Sequence, residues 1–69
     1  MIRVYIRDEA EEEGIFLGEF FPEDISGLPS LFKEFETIIK GEDDVAHFVG
    51  AEFVCDHTGT HFEIIVSRG

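Results

Sequence analysis

Apolar and polar residues alternate from the first positions of the chain: Ile2, Val4 and Ile6 fall on one side and Arg3, Tyr5 and Arg7 on the other. A period of two is that of a strand with one buried face, so Ile2 to Arg7 is predicted to be a strand. The acidic run Asp8 to Glu13, closed by Gly14, reads as a solvated loop or hairpin tip. A second apolar segment, Ile15 to Phe21, is predicted to pair back on the first and to stop at Pro22, which supplies no ladder donor. Glu23-Asp24-Ile25-Ser26 is expected to form a short separate turn.

The period then changes. Leu28, Leu31, Phe32, Phe35, Ile38 and Ile39 recur at three- and four-residue spacings, predicting a helix with one apolar stripe and with Glu34 and Glu36 lying off it. Pro29 suits its first turn, Gly41 the position past its end, and Lys40 the negative pole of its dipole. After Glu42-Asp43-Asp44, two strand-like runs follow, His47 to His57 and Thr60 to Ser67, joined at Thr58-Gly59. A two-residue turn there sets His57 opposite Thr60, Asp56 opposite His61 and Cys55 opposite Phe62. Alternation places Phe53, Cys55, Phe62, Ile64 and Val66 on one face, the expected core, and Glu52, Val54, Asp56, His61, Glu63 and Ile65 on the other. The expected fold is α+β: a four-stranded antiparallel sheet in ββαββ order with one helix packed on one face.

Length adds a bound. A chain of 69 residues has room for one core, so a single domain spanning 1–69 is expected, burying about 60% of the surface its unfolded form exposes. Its 43% apolar content and eight Phe residues are too rich for a disordered acidic chain. Phe32, Phe35, Phe53 and Phe62 are assigned to the core, whereas Phe16, Phe20, Phe21 and Phe48 cannot all be inside a domain this small. Some rings are therefore expected on the surface, where an apolar patch rimmed by acids suits a protein partner or a homodimer seam.

Charge narrows the class of partner. Sixteen Asp and Glu oppose five Lys and Arg, a formal net charge of -11. Direct nucleic-acid binding is disfavoured, because phosphate contacts need clustered cations and Arg3, Arg7, Lys33, Lys40 and Arg68 are scattered. An anionic membrane surface would repel the chain, and no apolar run approaches a membrane span. A basic protein would be attracted, with encounter accelerated about 10- to 1000-fold at low salt. The expected contact or steering charges are Asp8, Glu9, Glu11, Glu12 and Glu13 of the N-terminal loop, with Glu42, Asp43 and Asp44. The single cysteine, Cys55, excludes an intrachain disulfide and favours a reducing, cytoplasmic location, with no export signal visible.

No catalytic constellation stands out, and no cofactor is expected. Cys55, His57 and His61, with Asp56 or His47 nearby, have the chemistry zinc prefers. In the expected hairpin, however, Cys55 and His57 share a face and His61 takes the other, so convergence on one ion needs a bulge. The same small inward Cys is a poor nucleophile, since buried structural thiols are inert. His61 is expected instead to lean on Asp56 across the hairpin. Paired acids of the glycosidase kind, a calcium loop and a Gly-rich phosphate loop are all missing from the sequence pattern.

The run Leu28 to Gly41, LPSLFKEFETIIKG, followed by an acidic link and AEFVCDHTGTHFEIIVS, resembles small bacterial immunity proteins of the wall-associated-toxin type. Asp56, Gly59 and His61 stand for that family's Asp and Gly-His turn, with Thr60 inserted, over about 40 residues of similarity that leave out the N-terminus. The resemblance implies a non-enzymatic protein that neutralises a toxin, typically a basic nuclease, by binding it. A phage-type inhibitor that imitates nucleic acid, its carboxylates standing in for phosphates, belongs to the same class of acidic binder. A structural module that dimerises through exposed Phe is the alternative.

Overall fold

The computed structural model describes residues 1–39 and 44–68. Its strands are β1 (Ile2–Asp8), β2 (Ile15–Phe20), β3 (Thr37–Ile39), β4 (Asp44–Asp56) and β5 (Gly59–Arg68). A single helical turn, α1 (Pro22–Ile25), and a two-turn helix, α2 (Leu28–Glu34), separate β2 from β3. The strands form one sheet in the order β2-β1-β5-β4-β3, curled into a half-barrel.

The sheet is mixed. β1 and β5 run parallel, with Val4 opposite Phe62 and Ile6 opposite Ile64, while every other pair is antiparallel. This corrects the expected four-stranded antiparallel sheet with ββαββ order: the described residues form five strands, and the first and last of these lie side by side within the sheet. The cause is burial. β1 and β5 carry the strongest inward rows, and each has its own hairpin partner outside it, so the two meet in the middle. Strands buried in this way can pair in parallel, a choice that alternation does not encode.

The helix is the second correction. Only its first half forms: α2 ends at Glu34, and Phe35 is extended (φ -115°, ψ 149°) with its N–H still donated to the Leu31 carbonyl at 3.0 Å. Thr37, Ile38 and Ile39 are three consecutive β-branched residues, which lose χ1 freedom in a helix and suit a pleated surface. They form β3, with Ile38 opposite Val45 and Ile39 opposite Asp44. The expected helix-ending Lys40 and Gly41 lie outside the described residues.

The core lies between the sheet and the helices. Val4, Ile6, Ala46, Ile64 and Val66 form its floor, and Ile25 closes it from α1. Ile2, Phe20, Leu28, Phe32, Ile39, Phe48 and Phe62 pack around it partly buried. α1 is the short turn expected near Glu23, with Pro22 at its start, where the missing N–H costs nothing.

The β4–β5 hairpin reverses one step earlier than expected. Asp56 pairs with Gly59, Cys55 with Thr60, Val54 with His61 and Phe53 with Phe62, so His57 and Thr58 make the turn. The Asp56 carboxylate accepts from the Thr58 N–H at 2.8 Å and from Thr58 Oγ1 at 2.6 Å, a local bond that starts the reversal at Asp56. Gly59 has φ 133°, a conformation open to glycine, and opens β5. The slip is two residues, so face parity survives: Phe53, Cys55, Phe62, Ile64 and Val66 do share a side. Ile64 and Val66 are buried, while Phe53 and Cys55 are exposed, because the hairpin extends past the helices that cover the rest of that face.

Candidate functional site

Ion pairing divides the molecule's charges into inner and outer sets. Asp8, at the end of β1, is buried; its carboxylate accepts the Ala10 N–H at 2.8 Å and the Arg68 N–H at 3.2 Å, with Arg68 Nε at 3.6 Å. It organises the turn after β1 and ties down the end of β5. It is thus a structural carboxylate and not a free contact charge. Glu11 is exposed, yet its carboxylate lies 3.7 Å from Arg68 and its carbonyl accepts from Arg7 at 2.8 Å. Glu9, Glu12 and Glu13 are exposed, with no ion pair among the described residues. Asp44 opens β4 half-buried, and Glu42 and Asp43 lie outside the described residues.

The N-terminal loop is held against the sheet by Gly14. A side chain there would bring a Cβ within 2.7 Å of the Ile6 carbonyl oxygen, so the loop can lie this close only without one. This draws Glu12 and Glu13 over the sheet face that no helix covers. There, with Arg3, Tyr5, Asp56, His61 and Glu63, they line a shallow, wide-mouthed cavity of about 380 Å³.

Side chains on this open face are mutually fixed. Arg7 Nε stands 3.1 Å from Glu63 Oε1, and His61 Nε2 stands 3.0 Å from Glu63 Oε2. Tyr5 packs between Phe16 (5.4 Å) and the edge of His61 (5.3 Å). Burial raises the Glu63 carboxyl, but hydrogen bonds from His61 and Arg7 and their positive charges outweigh it and hold the group below its ordinary range. Asp56 is also held low, first by the Thr58 hydroxyl and then by the Thr58 N–H. Both carboxylates therefore stay ionised to lower pH than an ordinary carboxyl of their kind. His61 bonds to Glu63, not across the hairpin to Asp56 as expected; the two-residue slip puts Val54 opposite it.

The residues weighed for metal or nucleophilic chemistry are dispersed. Cys55 is exposed opposite Thr60 on the helix-side face, His57 is in the turn, and His61 is on the open face. The expectation of an inward Cys55 is corrected: its stretch of β4 has nothing packed over it. Among the described residues, no three His, Cys, Asp or Glu side chains gather as a metal site would require.

Of the exposed rings, Phe16 borders the open face through Tyr5, and Phe35 belongs to a different part of the surface. Phe16, Phe21, Phe35 and Phe53 are all more than half exposed, whereas Phe20 and Phe48 pack on the core. Phe35 and Phe53 were expected inside. Phe35 falls outside because α2 stops before it, and with Leu17, Leu31 and Ile38 it lines an apolar groove of about 580 Å³ beside the helix. Sequence pattern missed this groove by assigning Leu31, Phe35 and Ile38 to one buried stripe. The clue was the β-branched run Thr37-Ile38-Ile39, which argues for a strand.

The chain matches no family model, no curated protein and no solved structure. Among the described residues, no helix is long and apolar enough to cross a membrane.

Proposed function

We propose that this chain is a non-enzymatic binding protein that occupies the basic surface of a protein partner, as an immunity-type or other inhibitory protein does. One observation carries it. Arg7 and Arg68 are engaged with Glu63, Asp8 and Glu11, which leaves Arg3 and Lys33 as the exposed cations among the described residues, against Glu9, Glu12, Glu13, Glu19, Glu23 and Asp24, all exposed with no ion pair among those residues. The outward surface is more uniformly negative than composition alone implies. Exposed phenyl rings between these charges add apolar area that a basic partner, unlike water, can cover. The target class is a toxin or a nucleic-acid-binding protein, whose phosphate-binding site the carboxylates would fill.

Affinity capture from cell extract tests this with three baits: the natural chain, a Glu9→Lys, Glu12→Lys, Glu13→Lys variant, and an acidic protein of matched size and charge. A basic protein held by the natural chain alone supports the proposal. Equal capture by all three baits refutes it.

A second reading, a homodimer, rests on the groove lined by Leu31, Phe35 and Ile38. Sedimentation over a concentration range separates the two: a dimer indifferent to salt favours this reading, and a monomer excludes it.

A further inference from the structure

β4 is thirteen residues long, but its outer neighbour β3 covers only Asp44, Val45 and Ala46. From His47 to Asp56 the strand is paired on its β5 side alone, and its outward backbone groups have no partner among the described residues. A bulge between Phe48 and Gly50 interrupts the ladder. Beyond it, Gly50–Asp56 runs in unbroken register with Ile65–Gly59. Of the devices that blunt an open edge, this segment carries the charges of Glu52 and Asp56 and follows the bulge. It holds no Lys and no Pro, and it exposes Ala51, Phe53 and Cys55. The opposite edge, β2, is shorter and broken in its middle by a bulge at Leu17.

We infer that the outer edge of Gly50–Asp56 accepts an extended segment of the partner as an added strand. The geometry suits it. An added strand would continue the line of β3, where the chain turns away at Glu36, and would end against a cavity of about 440 Å³ between α2 and β4. That cavity is lined by Phe32, Phe35, Phe48 and Val49 together with Lys33, Glu34, Glu36 and His47, so it offers an apolar wall with a charged rim, which suits a long side chain with an apolar stem and a polar end. Backbone bonds supply affinity in such additions, and pockets for alternate side chains supply selection.

Charge chooses the occupant. Glu34 and Glu36 border the cavity, Glu52 and Asp56 lie on the strand itself, and the one Lys at this place is Lys33. A second copy would bring another formal charge of -11 to the same edge and, paired about Glu52, would set carboxylate against carboxylate. A segment alternating apolar and basic residues meets the edge with opposite charge. The inference rests on the basic-partner proposal above and adds to it where, and in what backbone conformation, that partner is held.

Two blocked peptides of equal length and charge test it, one alternating Lys with Val and one alternating Lys with Pro, which cannot form a strand. Binding is read at low salt, together with residue-resolved amide exchange of the protein. The expected result is binding of the Lys-Val peptide about tenfold tighter or more, with slowed exchange at alternate amides of Gly50–Asp56. Equal binding of both peptides with no change in β4 exchange overturns strand addition and leaves the charge proposal standing. Failure of both to bind overturns the charge proposal too. Protection of the same amides that grows with protein concentration and no peptide assigns the edge to a second copy, and also overturns it. As a further arm, Ala51→Pro and Glu52→Pro remove neighbouring N–H groups that point to opposite sides of β4. The variant that keeps its melting temperature has lost the outward one and is expected to lose the preference for the Lys-Val peptide; undiminished preference counts against the inference.

Discussion

Two adjacent carboxylates at the end of β1 have opposite fates. Asp8 satisfies the Ala10 and Arg68 N–H groups from inside, whereas Glu9 is exposed. Asp8→Ala should therefore cost about 1 to 3 kcal/mol, the penalty for orphaning buried donors, and Glu9→Ala less than about 0.5 kcal/mol. Urea unfolding midpoints check the pair, and equal losses would show that Asp8 is not structural. Glu63 adds a pH dependence. Its carboxyl is held below the ordinary Glu value of 4.5, so its stabilising contribution is complete above that pH and is lost as pH falls through the lower folded-state value. Glu63→Gln should lower stability at neutral pH, and its gap to the natural chain should narrow in acid. A gap that is constant or widens in acid would mean that the bonds to Arg7 and His61 do not depend on the charge.

At the scale of elements, the switch at Phe35 decides which apolar residues are buried. Ile25→Ala empties a buried site under α1 and should cost about 2 to 5 kcal/mol, whereas Phe35→Ala removes an exposed ring and should cost far less despite the larger side chain. Denaturant titration of the two should reverse the ranking expected of a continuous helical stripe, and a larger loss for Phe35→Ala would contradict it. That stripe shows how far local pattern carries. β1, β2, the turn at Pro22, the start of α2 and both hairpin strands are legible, because alternation, proline and helical spacing are short-range signals. The end of α2 was not, since Leu28 to Ile39 satisfies a helical period and the contest with β3 is settled by pairing to Val45 and Asp44, a tertiary effect. The parallel β1–β5 pair was likewise hidden, for Ile2–Asp8 reads the same beside either neighbour direction. Of the expected contact charges, the exposure of Glu9, Glu12 and Glu13 agrees with a solvated loop. The inward turn of Asp8 depends on Arg68, sixty residues away, which no local pattern encodes.

At the scale of the whole molecule, a formal charge of -11 acts on folding as well as on partners. Mutual repulsion opposes the compact state, so added salt should raise the melting temperature, most steeply below about 0.1 M, where screening changes fastest. On the proposed reading the outward charges and the exposed rings would divide the work of recognition: long-range attraction would set how fast a partner arrives, and apolar contact at Phe16, Phe21, Phe35 or Phe53 how long it stays. The most direct test is the association rate of the captured basic partner between about 0.01 and 1 M salt, over which the screening length falls from about 30 to about 3 Å. The natural chain should slow steeply as salt rises, and the variant reversed at Glu9, Glu12 and Glu13 should start slower and respond less. Rates that are the same for both proteins at every salt concentration would contradict a negative surface that steers its partner.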